Sequence, residues 1–368
     1  MSKIKKIKEY VPTVSLVIFA VTLISAILYL CFRVSTAFAD FFNYYISAPF
    51  RAFISSLTTI FPFSLAETAI ILSPLILAAL IYLAVKYAKK GARASLRYLF
   101  VLLSAICYIF ISFVWTYSSG FYTTSIDKRL GMEERELSKE ELYDTAVILT
   151  DRLNELSDKI VYSSSGASLM PYSYDELSDK ICDSYDVIAS EYKVIRNFTS
   201  RAKPILLSEP FTYTHISGVY SYMTGESNLN VNYPDFIVAS SAAHELAHQR
   251  GIARENEANF IAFLACVNSD DDFLKYSGYL DVYGYVTNAL YSADKDLYRE
   301  VYAKLDSRVR GDLRSYSVFF QKYANSKASE VTDKINDSYL QSNGQTEGTK
   351  SYGMVTDLVC AYLLDGNK

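Results

Sequence analysis

The chain has 368 residues and a formal net charge of −4, divided unevenly: residues 1–126 hold 11 basic and 3 acidic residues, the remainder 25 basic and 37 acidic. An acidic C-terminal part lacks the clustered Lys and Arg that phosphate neutralisation needs, so nucleic acid is not an expected partner. The length exceeds one domain of usual size, and two regions are expected, a membrane region over 1–120 and an outer domain over 127–368.

In chain order, three apolar runs come first. Residues 11–32, 68–85 and 98–118 carry no charge, and a bilayer core needs about 20 apolar residues per helix. The second run is short and contains Pro74, but it fits. The first exceeds a signal-peptide core and is followed by further spans, so it reads as retained. Lys3, Lys5, Lys6 and Lys8 precede the first run, and Lys86, Lys89, Lys90, Arg93 and Arg97 separate the second from the third. Lys and Arg collect on the cytoplasmic side. The expectation is a multi-pass protein of the bacterial cell membrane with its N-terminus cytoplasmic and everything after about residue 120 extracytoplasmic. Residues 34–66 are aromatic-rich with few charges, and read as an interfacial or re-entrant segment or as an ordinary loop with a short helix.

Composition then changes. Ser138 with Glu141, and Ser173 with Glu176, are capping-box pairs that open amphipathic helices. PILLS (204–208) reads as a short strand, and the following chain to Tyr233 as extended or irregular. Helices are expected over 235–250, 255–267, 271–291, 307–323 and about 352–364, with SNGQTEGTK (342–350) as a polar turn. The architecture is therefore three N-terminal transmembrane helices followed by a mostly α domain with a small sheet. The five cysteines form no CxxC pair, and buried free thiols are expected.

The stretch HELAHQRGIARENEANF (244–260) carries the chemistry. His244 and His248 are four apart and share a helix face, so both imidazoles reach one point, as zinc requires. Glu245 lies beside that point, where a carboxylate can hold a water and take its proton. The chain has only three histidines, and two fall here, on a helix otherwise apolar; without a partner both would be costly to bury. The position that would supply a third His is Arg254, which stays protonated and cannot ligate. Gly251 can end the first helix and reverse the chain, so a second helix returns past the site. Glu255 and Glu257 lie about 200° apart on it, so one faces the site. Glu257 shares the face of Ile261, Leu264 and Ala265 and is the expected third ligand to Zn2+. Glu255 is the alternative, or else an acceptor for a ligand imidazole; Asn259 is a further candidate for that auxiliary place.

HELAHQRGIARENEANF resembles the gluzincin metallopeptidases, in which an HExxH helix is joined by a Glu from a following helix. The whole chain is similar to an uncharacterised bacterial membrane family, a domain of unknown function with three N-terminal spans and a gluzincin-like outer domain; VWTYSSGFY (114–122), TGESNLNVN (224–232), FLACVNSDDDFLKYSGYL (263–280) and SYGMVTDLV (351–359) carry that likeness. The resemblance implies a zincin-like fold, zinc binding and proteolysis. It departs where the carboxylate often found four residues past the ligand Glu would be, which is here Ile261.

ESNLNVN (226–232) reads either as an edge strand that holds substrate or as a core hairpin. His215 is a candidate for stabilising an oxyanion, and Tyr279, in a stripe with Tyr276 and Tyr283, either donates there or belongs to an aromatic core. The expected function is a membrane-anchored zinc metallopeptidase acting on a peptide or protein substrate, with Glu245 as proton shuttle. The alternatives are a membrane sensor or assembly factor with zinc and no turnover, and a zinc hydrolase of cell-wall material.

Overall fold

The computed structural model describes residues 9–132, 137–343, 345 and 352–365. The apolar runs form helices Thr13–Val34, Leu65–Ala88 and Ala92–Thr116, each long and apolar enough to cross a membrane. Along the second, Ile70, Leu75 and Ile81 have no protein cover, a surface that suits lipid rather than water. The lysines before Glu9 and most of the 342–350 turn lie outside the described residues.

The segment between the first two long helices is itself helical: Thr36–Phe42, a π-helical stretch Asn43–Ser47, then Ala48–Thr58. It carries more helix than the single short one expected of a loop. Asn43, Ser47, Arg51 and Ser55 recur every four residues and are all buried. Wider π turns keep residues four apart more nearly in line. This polar stripe faces the end of the third long helix and the C-terminal domain. Ser47 Oγ donates to Trp115 O (2.8 Å) and Arg51 to Thr116 O (2.7 Å).

The C-terminal domain is mostly helical. Both capping boxes form, opening Lys139–Ser157 and Tyr174–Glu191. Helices Asp235–Gln249, Glu255–Val267 and Asp272–Ala293 pack around one core with Lys139–Ser157 and Tyr352–Asp365. Ser307–Gln321 follows the reading, while Lys295–Lys304 and Lys327–Ser342 had no separate reading. Cys182, Cys266 and Cys360 are buried thiols outside any disulfide.

A three-stranded sheet, in the order β1-β3-β2, comprises β1 (Ala202–Pro204), β2 (Gly218–Ser221) and β3 (Glu226–Leu229). β3 runs parallel to β1 and antiparallel to β2. The strand expected at 204–208 begins earlier and gives way to helix Ser208–Thr212, because only residues 202–204 have a partner strand. The ESNL segment is the fully buried central strand rather than an edge; β2 is the edge on the site side.

The sheet also caps a long apolar helix. Glu226, buried and paired with Lys203 (2.7 Å), accepts from the backbone N–H groups of Leu65 (3.0 Å) and Ala66 (2.9 Å) at the start of Leu65–Ala88. In return Glu67 accepts from Leu206 N and Leu207 N at 2.9 and 2.8 Å. A carboxylate at a helix N-terminus satisfies open donors and complements the dipole.

Arg51 tests how far the two regions depend on each other. Its guanidinium is buried without a carboxylate and bonds Asn43 Oδ1 (2.9 Å), Thr116 O and Arg250 O (3.1 Å); burial lowers its pKa to about 10, so it stays charged near neutrality. Arg51→Ala orphans those acceptors and should cost about 3–5 kcal/mol, read as a lower melting temperature in detergent with the helix content at low temperature unchanged.

Candidate metal centre

The two helices that carry the motif meet at a turn whose every residue is held. Gly251 has φ +96°, with Gly251 N bonded to His248 O (2.9 Å) and Ile252 N to Ala247 O (3.2 Å). This paired closure by a left-handed glycine is the Schellman pattern. Asn43 Nδ2 donates to Gly251 O (3.1 Å). Gln249 Nε2 donates to Gly225 O (2.7 Å) and Ser55 Oγ (3.1 Å). Arg250 is stacked between Tyr185 and Phe198 and donates to Asn197 Oδ1 (2.6 Å).

The turn brings together His244, His248 and Glu255, whose ligand atoms all lie within 4.8 Å of one another. His244 Nε2 is 3.3 Å from one Glu255 oxygen, and His248 Nε2 is 3.5 Å from the other. Ligands bound to one tetrahedral ion at 2.0–2.1 Å stand roughly 3.3 Å apart. Two imidazoles and a carboxylate at that spacing fit zinc in both chemistry and size.

Glu257 is not part of this set. It is buried and its Oε1 accepts from Arg254 (2.5 Å) and from Ile126 N (3.0 Å), the first residue of helix Ile126–Leu130. The cation that this buried carboxylate meets is Arg254, not a metal held with the two imidazoles. Arg254 also bonds Phe121 O and Thr123 O. The carboxylate beside the two imidazoles is instead Glu255, the first residue of its helix, where the chain emerges from the glycine turn.

His248 is oriented by two groups. Its Nδ1 lies 2.7 Å from Ile252 O, so Nδ1–H donates there, with the Tyr117 hydroxyl 3.0 Å away. Nε2 is thereby turned toward Glu255. Burial opposes charge on His248, but the Glu255 carboxylate overcomes it and lifts the pKa to about 9. Burial alone would raise Glu255, yet the two imidazoles hold it well below the usual carboxylate range. His244 Nδ1 has no direct partner. Asp281, on helix Asp272–Ala293, is pushed up to about 6 by burial and is opposed by His244 and a hydrogen bond from Ser240.

Glu245 is buried one step along the helix, with Oε2 unpartnered. Its pKa is raised by burial, against the pull of both imidazoles and a hydrogen bond from Tyr220 N–H. β2 lies directly on it: a Cβ at Gly218 would come within 2.6 Å of Glu245 Cγ, so the strand can approach only as glycine.

These groups open into a cavity of about 550 Å³ walled by β2, by Tyr233, Tyr285 and Tyr316, and by Ile335 and Tyr339 of helix Lys327–Ser342. Asn259 lines it with Nδ2 unpartnered. Counted from Glu255, the fourth position on is Asn259, again not a carboxylate. His215 also lines the cavity, but its Nε2 is spent on Tyr323 O (2.8 Å) and its ring packs on Phe320. Tyr279 packs on Phe263, in the core. Asp270–Asp272 form the cap and first turn of their helix, with Asp271 accepting from Leu274 N (2.9 Å).

Tyr117 and Asp281 had no place in the sequence reading. Tyr117 lies in one of the stretches that carry the family likeness but is far from the motif in sequence. The polar stripe 43–55 was legible as an i, i+4 pattern in an aromatic helix.

The family described as "Protein of unknown function (DUF3810)" matches residues 42–360. The chain belongs to this family. The match takes in the polar stripe, the third long helix and the whole candidate centre, so DUF3810 is a unit that includes apolar helices as well as the C-terminal domain. No curated protein and no solved structure matches the chain.

Two outcomes follow from the geometry. Glu255→Ala should abolish stoichiometric zinc, whereas Glu257→Ala should keep it and lose about 3–5 kcal/mol of stability through the broken buried pair; metal analysis and thermal melting separate them. Because His248 carries a proton below about pH 9 in the metal-free protein, zinc must displace it. Apparent affinity should climb about tenfold per pH unit from neutrality to about 9 and then level off, measured by competition with a chelator.

Proposed function

We propose that the chain is a membrane-anchored zinc metallopeptidase of gluzincin type, with His244, His248 and Glu255 as the metal ligands. The carrying observation is the spacing of those three groups, with Glu245 buried beside them and an edge strand laid across it. Bound zinc supplies a Lewis acid that polarises a peptide carbonyl and lowers the pKa of water. Glu245, whose burial raises its proton affinity, takes the proton from the attacking water and returns it to the leaving amine. The products are a carboxylate and an amine. The Ile252 carbonyl and the Tyr117 hydroxyl orient His248, and Asn259 offers a donor to a carbonyl in the cavity.

The register of β2 supports a polypeptide substrate. Asn230 N bonds Ser217 O (2.9 Å), and Val219 pairs with Asn228. Ser217, Val219 and Ser221 therefore face β3, leaving the amide groups of Gly218 and the carbonyl of Tyr220 on the open edge, where Tyr220 N–H donates to Glu245. An extended peptide can add there. Three protein ligands among the described residues leave a position for substrate, as in catalytic rather than structural zinc sites. The Lys and Arg distribution supports a cytoplasmic N-terminus and an outer domain outside the cell.

Glu245→Gln should bind zinc stoichiometrically yet lower kcat on a peptide library by about 10²–10⁴-fold. Equal turnover in that variant would remove the mechanism.

A further inference from the structure

The candidate centre sits at the end of an apolar helix, not remote from it. Ala92–Thr116 ends one residue before Tyr117, whose hydroxyl is 3.0 Å from His248 Nδ1. Two cavity-lining rings reach back onto that helix: Tyr222 and Tyr339 stand 5.4 and 6.3 Å from Phe113. Phe113 lies three residues inside the helix end, at the depth where aromatic rings meet the headgroups.

The edge strand has a direction relative to this level. Its start, at Ser217 and Gly218, lies on the active-site helix, with Ser241 Oγ bonded to Ser217 Oγ (2.8 Å) and Gly218 on Glu245. Its far end turns over at 222–225 against the membrane-side elements. Thr116 Oγ1 reaches Tyr222 O (3.5 Å), and a Cβ on Gly225 would stand 3.0 Å from Ile54 and Ser55. From Gly218 to Tyr222 is four residues, roughly 13 Å of strand. The open side carries apolar groups, with Val219 42% and Met223 48% exposed.

We infer that the substrate is the juxtamembrane segment of a membrane-anchored polypeptide, laid along β2 so that the bond over Glu245 lies only a few residues outside its own anchor. This rests on the metallopeptidase reading. A chain on the open edge of β2 has one end at the level where the third long helix stops, which is where a chain leaving the bilayer begins. A freely diffusing peptide gains nothing from that placement. An anchored one is held at high effective concentration beside the edge.

The test uses the full chain, zinc-loaded, in phospholipid vesicles. The probes are one mixed-sequence extended segment attached to a single apolar helix through Gly-Ser spacers of increasing length, and the same segment without the helix. Mass spectrometry locates the cut bond. The expectation is that cuts stay about four to eight residues from the helix end, shifting through the sequence as the spacer grows, and that the unanchored segment is cut at least about tenfold more slowly. Cuts at a fixed sequence regardless of spacer, or equal rates on both probes, overturn the inference and leave the peptidase reading standing. If neither probe is cut while zinc is bound, both readings fall.

Discussion

The structure depends on a chain reversal at Gly251. Only there can the HExxH helix end and the next begin so closely that Glu255 meets the two imidazoles of the helix before it. A left-handed residue closes the helix, and the two carbonyls it exposes, at 250 and 251, point away from the C-terminal domain's own core. Arg51 and Asn43 donate to them from a buried network. Backbone acceptors in such a place must be satisfied, and the side chains that satisfy them come from the segment between the first two apolar helices. The geometry of the centre is therefore completed by residues some two hundred positions earlier in the chain.

The same division of labour runs through the electrostatics. The centre gathers Glu245, His248 and Glu255, each of which burial would neutralise if it stood alone. Their mutual attraction keeps Glu255 ionised and His248 protonated in the metal-free protein. Glu245 lies just outside that pairing, and its proton affinity rises instead. Two glutamates on neighbouring helices thus acquire opposite tendencies from their surroundings, one suited to holding a cation and the other to exchanging a proton.

Much of this was legible in the sequence. The uncharged runs, the capping boxes, the helix 235–250 and the glycine reversal all rest on local rules, and the structure has them within a few residues. The choice between Glu255 and Glu257 was not local. Helical geometry separates the two correctly, but the face rich in Ile261 and Leu264 is a general core face rather than the metal face. The cation for Glu257 stood three residues earlier as Arg254, which had been weighed only as a failed ligand. ESNLNVN reads equally as an edge strand or a core hairpin, and the structure has the hairpin. ESNL alternates like an edge strand, and only the pairing partners on both sides reveal it as central. Tyr117 and Asp281 reach the centre through tertiary packing, which no spacing within the motif encodes.

The reciprocal caps between the sheet and Leu65–Ala88 have a mechanical consequence. Glu226 grips the start of that helix while Glu67, one turn inside it, grips the chain after β1. β3, which carries Glu226, pairs along its whole length with the strand that lies over Glu245. A helix that tilts to match a thicker or thinner bilayer must therefore drag the strand beside the reacting carboxylate, and lipid composition becomes a variable of the site's geometry.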